Sequence, residues 1–139
     1  MQPTAVTPTP TTTDVSNQPA AAATDTSQVA TTTTTTAPMT ASVVYGPTGF
    51  SPKSVTIAKG GTVTWVNQGG AQMWVASDQH PSHTLYAGTT RQQHCPDAAG
   101  AAFDECAPGT NYSFMFDKTG TWKYHNHMKA GDVGTVVVQ

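Results

Sequence analysis

From Ser42 onward the chain is written in short alternating or β-branched runs, each closed by Gly, Pro or Asn, and this punctuation leaves few folds open. The runs are Val43–Tyr45, Ser54–Ile57, Thr62–Asn67, Gln72–Ala76, Thr84–Tyr86, Asn111–Asp117, Gly120–His125 and Gly134–Val138. Lys59-Gly60-Gly61 and Asp117-Lys118-Thr119-Gly120 read as turns. No stretch repeats its apolar residues at helical spacing. About seven short strands in roughly a hundred residues predict an all-β domain, an antiparallel two-sheet Greek-key β-sandwich. The alternation also predicts its core. Val63 and Trp65 share one face, as do Tyr112, Phe114 and Phe116, because successive strand residues point to opposite sides. Trp74 and Trp122 read as packing residues. The segment from Ala87 to Pro108 is long for a sandwich connection, and such segments are functional or constrained.

The composition before Ser42 is different. Residues 1–40 hold 15 Thr, no aromatic residue and only two charges, Asp14 and Asp25. Such a segment buries too little apolar surface to offset the entropy of ordering it. The expected organisation is therefore a disordered Thr/Ala/Pro-rich stalk over 1–41 and a folded domain over 42–139. A stalk of this kind is typical of exported proteins, so the expected location is periplasmic, secreted or at the cell surface. A membrane tether through the stalk is expected, with the native signal or anchor absent from this chain. No apolar run is long enough to span a bilayer. The formal net charge is −2 and only 10% of residues are charged, which argues against a nucleic-acid partner.

Two cysteines, Cys95 and Cys106, flank a Gly/Ala/Pro-rich stretch. An even count in a small exported domain points to a disulfide, which would stabilise the domain by roughly 3 kcal/mol through chain entropy. The competing reading is a Cys/His metal-ligand set built on His94 and Cys95.

Four of the five histidines fall in two tight pairs, His80-x-x-His83 and His125-x-His127. Residues i and i+2 of a strand share a face, with Cα atoms about 6.6 Å apart. Two imidazoles so placed can converge on one ion, and a second pair from a neighbouring segment can complete the set. Imidazole suits copper, zinc, nickel and iron. A single histidine usually reads as a surface or hydrogen-bonded residue; two pairs in an otherwise His-poor chain point to a metal.

Phe50–Ile57 followed by Lys59–Asn67 resembles the opening strands of plastocyanin-type cupredoxins. Tyr112-Ser113-Phe114, Gly120–His125 and Ala130–Val138 resemble their last two strands and ligand loop. The resemblance spans nearly all of residues 43–139 and implies a copper-binding sandwich. A blue-copper cupredoxin carries a Cys after the penultimate strand, then a His and usually a Met. Aligned forward from Gly120-Thr121-Trp122, this chain has Asn126 at the Cys position. Aligned back from Gly131 and Gly134, it has His127 at the loop His and Asp132 at the axial Met. Without a thiolate, no intense blue colour is expected.

Trp122-Lys123-Tyr124-His125-Asn126-His127 and His80-Pro81-Ser82-His83 also resemble copper-binding segments of multicopper oxidases. The whole arrangement is similar to a small bacterial group of single-domain cupredoxins. These resemblances imply copper as cofactor. They do not imply oxidase activity, because five histidines are too few for a trinuclear cluster. The expected site is His83, His125 and His127, with His80 as a fourth ligand or close neighbour. Met73, Met128 and Asp132 are lesser axial candidates, and His94 is left out as part of an exposed loop. If alternation holds through Asn126, His125 and His127 face away from the usual pocket and meet a second subunit; a bend at Asn126 returns His127 to it.

The resemblance implies electron transfer, or copper capture and delivery, with a redox or copper-delivery protein as partner. Two alternatives stand beside it. One is a small type 2 copper enzyme with Asp78, Asp97 or Asp132 as proton donor, which no visible substrate pocket supports. The other is a metal-free surface interaction module, in which the paired histidines have no purpose.

Overall fold

The structure is a computed structural model that describes residues 33–139. The expected stalk falls mostly on residues 1–32, outside the described residues. The described residues form eight strands: β1 Thr40–Gly46, β2 Gly49–Ser51, β3 Ser54–Ile57, β4 Thr62–Asn67, β5 Val75–Ser77, β6 Asn111–Met115, β7 Gly120–Asn126 and β8 Lys129–Val138. They form two four-stranded sheets, ordered β2-β1-β4-β6 and β3-β8-β7-β5.

The expected two-sheet sandwich is present, but its sheets are mixed. β1 runs parallel to β4 and β3 parallel to β8, while the remaining pairs are antiparallel. The physical reason is that the chain changes sheets between β2 and β3. A strand that returns to its sheet after such a crossover arrives in the same direction it left. Thr84–Tyr86, read as a strand, is a turn, and the Gln72–Ala76 run forms a strand only from Val75. One helical turn, α1 Arg91–His94, was not foreseen; four residues are too few to show a helical period.

The core follows the alternation. Val43 and Tyr45 of β1, Val63 and Trp65 of β4, Phe114 of β6, Tyr124 of β7 and Val136 and Val138 of β8 are all buried between the sheets. Trp65 sits at the centre, its ring 5.3 Å from those of Phe103 and Tyr124 and 5.6 Å from that of Tyr112. The long segment between β5 and β6 belongs to this core. It inserts Tyr86 and Phe103 among Phe114, Phe116 and Trp122. Two large buried rings stabilise such a segment by several kcal/mol, at roughly 1.5–3 kcal/mol each. A disulfide joins Cys95 to Cys106 within it, their Cα atoms 5.4 Å apart. Among the described residues no helix is long and apolar enough to cross a membrane.

Candidate metal centre

Strand pairing decides where the histidines go. Asn126 pairs with Val75, a core residue, so Asn126 lies on the inner face of its sheet. His125 pairs with Ala76 and takes the outer face. His127 follows Asn126 back to that outer side, where its ring lies 4.2 Å from the ring of Trp74. Alternation therefore holds through Asn126, despite a register irregularity between His125 and Asn126. The two histidines do face away from the inner pocket, and they meet His80 and His83 of their own chain.

The four imidazoles form one cluster. Every pair of their ring centroids lies between 4.7 and 6.4 Å. His80, His125 and His127 each hold a ring nitrogen within 4.8 Å of the others. His83 joins them through His127, with its Nε2 3.0 Å from His127 Nδ1. Two nitrogens at ~2.0 Å from a shared ion, at a near-right angle, stand about this far apart. His83 and His125 are buried, His127 is half-buried and His80 is exposed.

Two carboxylates fix the inner rings. His83 Nδ1–H donates to Asp104 Oδ2 at 2.6 Å, and His125 Nδ1–H donates to Asp78 Oδ1 at 3.1 Å. Each bond places the ring's proton on Nδ1 and leaves Nε2 as an acceptor, which is how ligand histidines are oriented; that of His83 faces His127 Nδ1. His125 Nε2 is buried and has no hydrogen-bond partner. A buried nitrogen without a partner is costly, and a bound cation would satisfy it. His83 also adopts a left-handed backbone, φ 59°, which few residues with side chains adopt.

Asp104 is the hub behind the cluster. Its buried carboxylate accepts from His83 Nδ1, His94 Nε2, Trp74 Nε1 and Cys106 N–H. Burial alone would raise its pKa. The bonds from His83, Trp74, His94 and Cys106 outweigh burial and hold the carboxyl well below the usual carboxylate range. Burial lowers His127 to about 4, helped by the neighbouring His83, His80, Arg91 and His125. Burial likewise lowers His125, against the opposing pull of Asp78. Both rings are therefore neutral, and able to donate a lone pair, near neutral pH.

Some sequence expectations are corrected here. His94 is not in an exposed loop: its side chain is 8% exposed and bonded to Asp104. Trp74 packs against the imidazoles. Met73 is buried in the core, Asp132 is engaged by the Tyr45 hydroxyl and Lys129, and Met128, next to His127, is exposed. Asp78 and Asp104 were not singled out as supports for these rings. The signal available for Asp104 was its place beside Cys106, in the segment the disulfide constrains.

The cysteine ambiguity is resolved in favour of the disulfide, so neither sulfur is a free thiolate. The Asn126 side chain, at the position aligned with the blue-copper Cys, is occupied otherwise. Its Oδ1 accepts from Trp74 N–H and Met128 N–H, and its Nδ2 donates to Gln72 O.

The profile for copper binding proteins of the plastocyanin/azurin family matches residues 37–139. The chain belongs to that family. Among relatives of this cupredoxin, the plastocyanin of Scenedesmus fuscus is 36% identical over 94 residues, covering 65% of this chain and 86% of that protein. The chloroplastic plastocyanin of Tetradesmus obliquus is 34% identical over 94 residues, covering 65% of this chain but 58% of that longer protein. Solved structures share the fold. A purple cupredoxin from Nitrosopumilus maritimus aligns with a TM-score of 0.53 at 21% identity, over 71% of this chain and 99% of that one. An amicyanin variant aligns with a TM-score of 0.54 at 19% identity, over 76% and 88%. The cofactor of the family is copper. The donor set of this cupredoxin suits copper through imidazole, not through thiolate.

Proposed function

We propose that this cupredoxin holds one copper ion through His83, His125, His127 and His80, and uses it outside the cytoplasm for electron transfer or copper handling. The observation that carries this reading is the convergence of four imidazoles on a buried, unpartnered His125 Nε2. Copper bound there would supply a one-electron couple. The chain's own residues do the rest. Asp78 and Asp104 hold the His125 and His83 rings in one tautomer, and Trp74 walls off one side. His80 is the exposed ring through which the site meets solvent. Nitrogen donors with no sulfur favour the copper(II) state more than a thiolate site does. The Cys95–Cys106 disulfide supports an oxidising compartment. Met128 and Val133 are exposed apolar residues beside His127 and opposite His125, and they offer a contact surface to a redox or copper-delivery partner. The Thr-rich sequence ahead of β1, by its composition, suits a tether to a membrane.

The test is metal analysis with electron paramagnetic resonance and optical spectra on the copper-loaded chain, beside His83→Ala and His127→Ala. One tightly held copper(II) with nitrogen couplings and no strong thiolate band is expected, and both variants should lose it. An intense thiolate-to-copper band, or copper that stays in both variants, would sink the assignment.

A further inference from the structure

A second group of ligand atoms lies behind the imidazole cluster. His94, Cys95, Asp104 and Cys106 each place one ligand atom within 4.8 Å of the others. In the structure the two sulfurs are bonded to each other. We propose that reductive opening of this disulfide creates a zinc(II) site, with Cys95 Sγ, Cys106 Sγ, His94 Nε2 and an Asp104 carboxylate oxygen as ligands.

The backbone on both sides is held by bonds that do not involve the disulfide. On the Cys95 side, Cys95 N–H donates to Arg91 O, and Thr90 N–H donates to Gln93 Oε1 across α1. On the Cys106 side, Glu105 N–H donates to Val75 O while Val75 N–H donates back to Glu105 Oε2. Gly109 N–H donates to Met73 O, and Phe103 is locked in the core. The intervening loop is closed by Asp97, whose carboxylate accepts from Ala101 and Ala102 N–H. Opening the S–S bond therefore leaves the four donors near where they stand. A tetrahedral zinc site with Zn–S near 2.3 Å needs its sulfurs roughly 3.8 Å apart, within reach of side-chain rotation on Cα atoms 5.4 Å apart.

The donor chemistry selects the ion. Two thiolates, one imidazole and one carboxylate are the three ligand types of zinc, whereas the hard carboxylate disfavours copper(I). The imidazole is already oriented for the task. His94 Nδ1 lies 3.0 Å from the Thr89 hydroxyl and 3.1 Å from Thr89 O; when Nε2 turns from Asp104 to the ion, the ring's proton moves to Nδ1, where the carbonyl can accept it. Access exists: a cleft of about 530 Å³ is lined by Asp104 and Cys106, and another of about 310 Å³ by His94. The reductant is a dithiol. It takes the place of the protein disulfide by two exchange steps, ending as its own disulfide and leaving two thiols on the chain. Zinc then displaces the two thiol protons.

The test uses the full chain with His80→Ala and His127→Ala to silence the imidazole cluster. Zinc per chain is measured by equilibrium dialysis before and after dithiol treatment, and cobalt(II) is used as a probe for thiolate-to-metal absorption. The reduced chain should hold one more zinc than the oxidised chain and show the thiolate band with cobalt. Reoxidation should expel the metal, and adding His94→Ala should weaken zinc by at least tenfold. Near-UV circular dichroism checks folding throughout. Equal zinc in both redox states overturns the proposal, as does zinc uptake unchanged by His94→Ala. A reduced chain that stays unfolded with zinc present overturns it too.

Discussion

Asp104→Asn tests whether one buried carboxylate holds the metal centre together. Asp104 takes four donors, at 2.6 Å from His83, 2.7 Å from Trp74 and 2.9 Å from both His94 and Cys106 N. Asparagine keeps one accepting oxygen and replaces the other with an NH₂ that can only donate. Whichever way the amide turns, two of the four donors then face a donor. Bonds to a charged group are worth about 1.5–3 kcal/mol each, and removing one partner from a buried charged network costs about 3–5 kcal/mol. For a domain of this size each kcal/mol moves Tm by roughly 4–8 °C, so the apo domain should lose at least ~12 °C. If the NH₂ faces His83, its ring must accept at Nδ1 and carry its proton on Nε2, the atom aimed at His127. Copper affinity should fall about 10–100-fold, the usual effect of losing a carboxylate that orients a ligand histidine. The assays are thermal unfolding of the apo chain and competition of the copper-loaded chain against a chelator. A variant with Tm within ~5 °C and copper affinity within ~2-fold of the parent would refute the hub role.

Two further outcomes follow from the structure. Because His127 is lowered to about 4 and His125 is lowered as well, the unfolded chain binds protons that the folded chain refuses. Their contribution to apo stability is full above the unfolded value near 6.5 and is lost as pH falls toward 4. Burial raises Glu105 to about 7, so its contribution has the opposite sign, present below about 4.5 and lost as pH rises through 7. Glu105→Gln should therefore steepen the rise of apo Tm between pH 5 and 7; an unchanged slope would contradict the assignment. Gly134→Ala should destabilise by roughly 1–3 kcal/mol, since Gly134 sits opposite Tyr124 in the ladder and a Cβ there runs into the Tyr124 ring. A Tm within 2 °C of the parent, read by thermal unfolding, would contradict that contact.

The β-sandwich was legible because its signals are local. Val63, Trp65, Phe114 and Val136 alternate within their own strands, and each faces the core as the period of two requires. The His125-x-His127 pair was legible for a similar reason: His125 lies on β7 and His127 directly follows the strand's last residue, two positions on. The carboxylates behind the rings were not. Asp104 is 21 residues from His83, and Asp78 is 47 from His125. Such partners are joined only by the path of the segment between β5 and β6, where no periodicity speaks. His94 was misread for a related reason. Gly, Ala and Pro neighbours suggest exposure, but the disulfide and Asp104 fold that loop back onto β5.

The inward-facing Asn126 and the long β5–β6 segment fit together physically. Asn126 lies on the inner face, where its amide ties Gln72 and Trp74 to β7, so the inner position is filled by hydrogen bonds. The histidines on either side of it point outward, and imidazoles on the outer face of a sheet stand in water unless something covers them. The β5–β6 segment is that cover: it brings His80, His83, Asp78 and Asp104, and it is pinned by Tyr86, Phe103 and the disulfide. A thiol restored at position 126 should therefore miss the metal. Asn126→Cys would place its sulfur on the Val75 side of the sheet, away from the imidazoles, and would leave the N–H groups of Trp74 and Met128 without their acceptor. The copper-loaded variant should show no intense thiolate band, and its Tm should fall by several degrees, at about 1–3 kcal/mol for each buried group left unpaired. A strong blue absorption from Asn126→Cys would show that the ion sits on the inner face, and the outward-facing site would have to be abandoned.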